Sequence, residues 1–68
     1  MKQPKQPREI YKVISGSIEI VAYTWDGQSY QVDTIVLADN FDYCEGVFDS
    51  DVKAVVYAQK RYRQIETA

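Results

Sequence analysis

The sequence predicts an α+β fold of two layers, a three- or four-stranded antiparallel sheet with one C-terminal helix packed on one face. Two patterns carry that expectation. Residues 18–37 place β-branched and aromatic side chains in alternation around a central Asp26-Gly27, the signature of a hairpin. From Asp49 onward the apolar residues recur at spacings of three and four, which is one face of a helix. A third observation bounds the answer. At 68 residues, 46% hydrophobic and 26% charged, the chain has the size and composition of one folded domain rather than of a disordered segment.

Residues 1–8 read as a flexible basic arm ahead of a single domain over 9–68. Lys-Gln-Pro occurs at 2–4 and again at 5–7, and each proline removes a backbone donor and disfavours helix at the residue before it. Ile10 to Ile14 predicts a short strand, broken at Ser15-Gly16-Ser17 either by a tight turn, the favoured reading, or by a glycine bulge inside one long bent strand. Ile18 to Trp25 is the clearest strand and Gln28 to Leu37 its return. Alternation decides the register between them. A three-residue loop, Trp25-Asp26-Gly27 with Gly27 in the left-handed conformation, puts Ile18, Ile20, Ala22 and Thr24 on the same side as Tyr30, Val32, Thr34 and Val36. A two-residue Asp-Gly loop would instead set Gln31 and Asp33 beside Ile20 and Ala22, because a one-residue slip flips every side chain to the other face. The three-residue loop is therefore expected. It leaves Glu19, Val21, Tyr23, Gln31, Asp33 and Ile35 on the opposite, half-open face.

Residues 38–48 admit two readings, a short fourth strand through Phe41, Tyr43 and Val47, or a loop pinned by those aromatics. The helix that follows has Asp49 or Ser50 as the cap that accepts from the free amides of the first turn. Val52, Val55, Ala58, Tyr62 and Ile65 are expected to face the sheet, with Lys53, Tyr57, Lys60, Arg61 and Gln64 on the other side. Lys60, Arg61 and Arg63 lie near the C-terminal end, where positive charge complements the helix dipole.

Several chemistries are excluded by what is missing. The chain has no histidine and one cysteine, Cys44. Nucleophile triads built on His are therefore impossible, and a four-ligand zinc site is nearly so. One thiol forms no intramolecular disulfide, and a cytoplasmic home suits such a chain. Cys44, between Asp42 and Glu45, reads as a small buried hydrophobe rather than a nucleophile. Residues 39–45 are rich in oxygen ligands but lack the spacing and glycine of an EF-hand loop. The N-terminus lacks the apolar stretch of a secretory signal, and the apolar runs fall far short of the roughly 20 residues of a membrane span. No enzyme activity, cofactor or metal is expected.

The charge layout is the strongest functional signal. Residues 1–12 carry Lys2, Lys5, Arg8 and Lys12 against Glu9, a net of +3. Residues 13–51 carry eight acids and no Lys or Arg, a net of −8. Residues 52–68 return to +3, and the three sum to the overall −2. An acidic middle of this kind presents a field to a basic partner, speeding encounter and making it salt-sensitive. Loop acids neutralised by the basic helix end are the plainer account of the same pattern.

The expected function is a small non-enzymatic protein-interaction module that offers an acidic surface to a larger, basic, nucleic-acid-handling protein. Glu19, Tyr23, Trp25, Asp33, Asp39, Asp42 and Glu45 are the expected contacts, acids for the field and aromatics as interface anchors. Tyr11 and Tyr57 are further surface candidates, whereas Tyr30 and Tyr62 read as core. One alternative is a nucleic-acid-binding module using the basic arm and helix end, which a pI near 4.9 disfavours. Another is a homodimeric structural component that buries its open sheet face. In size, acidity and sheet-plus-helix layout the chain resembles small phage and mobile-element proteins, among them anti-CRISPR and other DNA-mimic inhibitors. No motif is shared, so the resemblance assigns no residue.

Overall fold

The alternation through residues 18–37 becomes the centre of a four-stranded antiparallel meander in the computed structural model, which describes residues 7–67. Strands β1 (Arg8–Ser15), β2 (Ile18–Thr24), β3 (Tyr30–Val36) and β4 (Phe41–Phe48) lie in sequence order, and helix α1 (Asp51–Thr67) packs across one face. This is the expected two-layer α+β fold, with the fourth strand present. Arg8 belongs to β1 rather than to the arm, and residues 1–6 of the expected arm lie outside the described residues.

The β1–β2 turn has two residues, and Gly16 alone takes a positive φ, +59°, as a glycine-led two-residue hairpin requires. The β2–β3 loop is longer than expected. Thr24 pairs with Tyr30, leaving five residues, 25–29, in the loop. Asp26 organises it: its Oδ1 accepts from the amides of Gln28 and Ser29, at 2.9 and 3.0 Å. Gly27 has the expected left-handed conformation, φ +77°, and its amide donates to Thr24 Oγ1 at 2.8 Å. Five residues and three have the same parity, so the faces fall as expected although the pairing slides along the strand. Ile18, Ile20, Ala22 and Thr24 stand opposite Val36, Thr34, Val32 and Tyr30.

Each outer strand carries one extra residue. In β1, Glu9 pairs with Tyr23 and Tyr11 with Ala22, so Ile10 is unmatched. In β4, Cys44 pairs with Asp33 and Gly46 with Val32, so Glu45 is unmatched. A bulge of this kind re-aims a side chain. Ile10 joins the core, and Glu45 points beneath the helix.

The core is small: Ile20, Ala22 and Val32 of the sheet against Ala54 and Ala58 of α1. Tyr11, Tyr30, Phe48, Tyr57, Tyr62 and Ile65 close around it. Two expectations for the helix are corrected here. Val52, expected to face the sheet, is 65% exposed, whereas Ala54 and Ala58 are fully buried. Tyr57 and Arg61, expected on the outer side, face the sheet, Tyr57 against the Phe48 ring at 5.2 Å and Arg61 against Glu45. The reason is steric. Two alanines one turn apart let the helix axis approach the sheet, and Val52 and Val56 rotate outward while Val55 stays half-buried. Tyr11 and Tyr57 are thereby core-packed rather than free surface anchors. Ser50 is the cap, its Oγ accepting from the Lys53 amide at 3.4 Å.

Candidate interaction face

The helix covers one side of the sheet, and the other has no cover among the described residues. Register arranges that open face in rows across all four strands. One row runs Ile14, Glu19, Ile35, Asp42; the next Lys12, Val21, Asp33, Cys44; the third Glu9, Tyr23, Gln31, Val47. Apolar side chains thus stand among acids on this face, with Lys12 the one base in the three rows. Trp25, just past the end of β2, continues the same side and meets Tyr23 edge-on, ring centres 6.1 Å apart.

Between the first and third rows the face sinks into a depression of about 340 Å³. Val21 and Ile35 line it with aliphatic surface, and Tyr23 and Trp25 with aromatic surface. Pro7 lies at it too, and three carboxylates reach it, those of Glu9, Asp33 and Asp42. No Lys or Arg is among its described lining.

The electrostatics of this recess are one-sided. Asp33 is only 6% exposed. Its Oδ2 accepts from the Tyr23 hydroxyl at 2.8 Å and its Oδ1 from Gln31 Nε2 at 2.9 Å. Both donors are neutral, so the carboxylate is solvated but its charge is not cancelled. Burial, and then the bond to Asp33, hold the Tyr23 phenol far above its ordinary range, which keeps it a donor. Asp42 stands beside Asp33, and its carboxyl is pushed upward by burial first and by the Asp33 charge second, with Glu19 adding to it. Neither Asp33 nor Asp42 forms an ion pair among the described residues. The one ion pair on this face joins Lys12 to Glu19, at a long 3.8 Å.

Of the seven expected contact residues, Glu19, Tyr23, Trp25, Asp33 and Asp42 share this face. Asp39 lies apart, exposed in the 37–40 turn between β3 and β4. Glu45 lies on the other side of the sheet. Its Oε2 accepts from Thr34 Oγ1 at 2.8 Å and pairs with Arg61 Nε at 3.4 Å, and its Oε1 accepts from the Tyr57 hydroxyl at 2.9 Å. Burial works against that charge, but the bonds from Thr34 and Tyr57 and the Arg61 guanidinium outweigh it and hold the carboxyl below its ordinary value. Glu45 is a structural pin between β4 and α1. Cys44 is exposed on the open face, not buried as its neighbours suggested. Glu9 was missed as a member of the recess, since only the bulge at Ile10 turns it to this face. Glycine after Glu45 within a strand is the signal that would have marked the second bulge.

Among the described residues no group of three or more His, Cys, Asp or Glu side chains is placed to hold a metal ion, and no helix is long and apolar enough to cross a membrane. The chain matches no family model, no curated protein and no solved structure.

Proposed function

We propose that the chain is a non-enzymatic interaction module that docks its open, acidic sheet face on a basic surface of a larger protein. The observation that carries this reading is the uncovered face itself, where Glu19, Asp33 and Asp42 stand among Tyr23, Trp25, Val21 and Ile35. Aromatic and aliphatic groups set among acids, of which only Glu19 has a basic partner among the described residues, match the anatomy of a protein interface, with anchors at the centre and steering charge around them. A partner surface built to bind phosphate has the complementary charge, so a nucleic-acid-handling protein, blocked or adapted by this module, is the partner class proposed.

The test is an affinity capture from host-cell lysate with tagged protein, at low and moderate salt, with and without nuclease. A discrete protein that survives nuclease, weakens with salt and is lost with the pair Glu19→Lys and Asp42→Lys supports the reading. Capture of nucleic acid alone, unaffected by the two reversals, sinks it and shifts attention to the basic residues at the two ends of the chain.

A further inference from the structure

We infer that the recess on the open face receives an arginine side chain of the partner, with its guanidinium against the Tyr23–Trp25 ring pair and the Asp42 and Glu9 carboxylates. The inference rests on the docking proposed above and names the group that would anchor it.

Charge complementarity selects a cation. Three carboxylates meet in a depression of about 340 Å³ with no Lys or Arg in its described lining. Asp42 stands beside Asp33 at the recess, and burial and then the Asp33 charge hold the Asp42 carboxyl above its ordinary range, a cost that an inserted cation relieves. The division of labour is legible in the hydrogen bonds. Both Asp33 oxygens already accept, from Tyr23 and Gln31, so Asp33 supplies field from below. Asp42, which is hydrogen-bonded to Asp33, and Glu9 are more exposed and reach the recess from its edge.

The aromatic and aliphatic lining selects among cations. A bare metal ion finds no converging set of ligands among the described residues. An ammonium is compact and strongly hydrated, and a half-desolvated recess with ring surfaces gives back little of that hydration. A guanidinium is planar and weakly hydrated, stacks on aromatic faces and meets a carboxylate with two parallel N–H donors. Its propyl stem suits the Val21 and Ile35 surface. Trp25 is 54% exposed, so a ring face is open to it.

Trp25 is the only tryptophan, and because it also borders a second depression with Arg8 and Asp26, its fluorescence is read together with the amide shifts of Val21 and Ile35, which line the recess alone. The full chain is titrated with N-acetylarginine amide, N-acetyllysine amide and sodium chloride at matched ionic strength, with amide NMR shifts recorded in parallel. The expected result is a saturable Trp25 response to the arginine amide, several-fold weaker for the lysine amide and absent for salt. Asp42→Asn, which keeps the shape, is expected to weaken the response about tenfold, the scale of one charged hydrogen bond. Shifts are expected at Val21, Tyr23, Trp25 and Ile35 and not on α1. An equal response to all three solutes overturns the inference, as does sedimentation showing that a second copy fills the face. A response that appears only after removal of residues 1–6 overturns it in favour of the chain's own arm. A silent recess alongside a captured, salt-sensitive partner sinks this anchor and keeps the proposed function. A responding recess with no captured partner does the reverse.

Discussion

On the helix side of the sheet, Glu45 receives hydrogen bonds from Thr34 and Tyr57 and an ion pair from Arg61. On the other side Asp33 receives two neutral donors and stands beside Asp42 with no cation among the described residues paired to either. The same kind of group is thus stabilised on one face and left in repulsion on the other. Folding alone has no use for the second arrangement, because ionised neighbours disfavour the compact state. The covered face holds the domain together, and the open face carries carboxylates that no cation among the described residues neutralises at Asp33 and Asp42.

That division is most severely tested in the core. Ile20→Ala is expected to cost about 3 kcal/mol, the scale for a fully buried Ile truncated beneath a helix. Ile35→Ala, on the open face, is expected to cost less than about 1 kcal/mol. Urea denaturation of both variants reads the difference, and similar costs would erase the distinction between the faces.

Glu45→Ala comes next. It leaves Thr34, Tyr57 and Arg61 without their acceptor, and a loss of about 2 kcal/mol is expected. Its pH dependence has a definite sign. Because the folded carboxyl titrates below its ordinary 4.5, its contribution is present above that pH and is lost as the pH falls through the folded value. Thermal melts of wild type and Glu45→Gln between pH 7 and pH 3 should therefore converge on the acid side. A gap that stays constant would remove Glu45 as the charged pin.

Gly27→Ala is expected to cost about 1 kcal/mol through its left-handed φ alone, since nothing lies within 4 Å of an added Cβ. A larger loss by denaturant titration would mean that the 25–29 loop does more than close the hairpin.

The smallest effect has the opposite sign. Asp42 is harder to ionise in the folded chain, so its charge works against folding above its raised value, and the penalty fades as the pH drops toward the ordinary 3.8. Asp42→Asn should leave the melting temperature at pH 7 unchanged or slightly raised while weakening partner capture. A clear drop in melting temperature would make Asp42 a structural residue and remove the open face from the comparison.

The central hairpin and both faces of β2 and β3 were legible because parity alone decides them, and parity survived a loop two residues longer than expected. Strand β4 was not, for a local reason. Its alternation breaks at Glu45, and its apolar residues Phe41 and Val47 are exposed rather than directed to a core, so no period of two persists long enough to read. The helix was legible as a helix, and Ala58, Tyr62 and Ile65 of its expected stripe do pack on the core, but Val52 does not and Ala54 was not foreseen. Pattern reading favours large apolar groups such as Val52, whereas the contact is made by Ala54 and Ala58, whose small size sets the approach distance. Five of the seven expected contact residues met on one face because they lie on β2, on β3 or in register with them. Asp39 and Glu45 fell outside because a turn and a bulge, neither fixed by alternation, decide where they point.

The unmatched residues Ile10 and Glu45 have a consequence beyond the direction of their own side chains. Among the described residues the outer edges of β1 and β4 are unpaired, and an unpaired edge is a template for a further strand. The extra residue interrupts each border's run of free amides and carbonyls. A newcomer strand can follow β4 only over 41–44 or 46–48 before its ladder falls out of step. The kink that aims one glutamate at the helix therefore also interrupts the edge along which a further strand would pair.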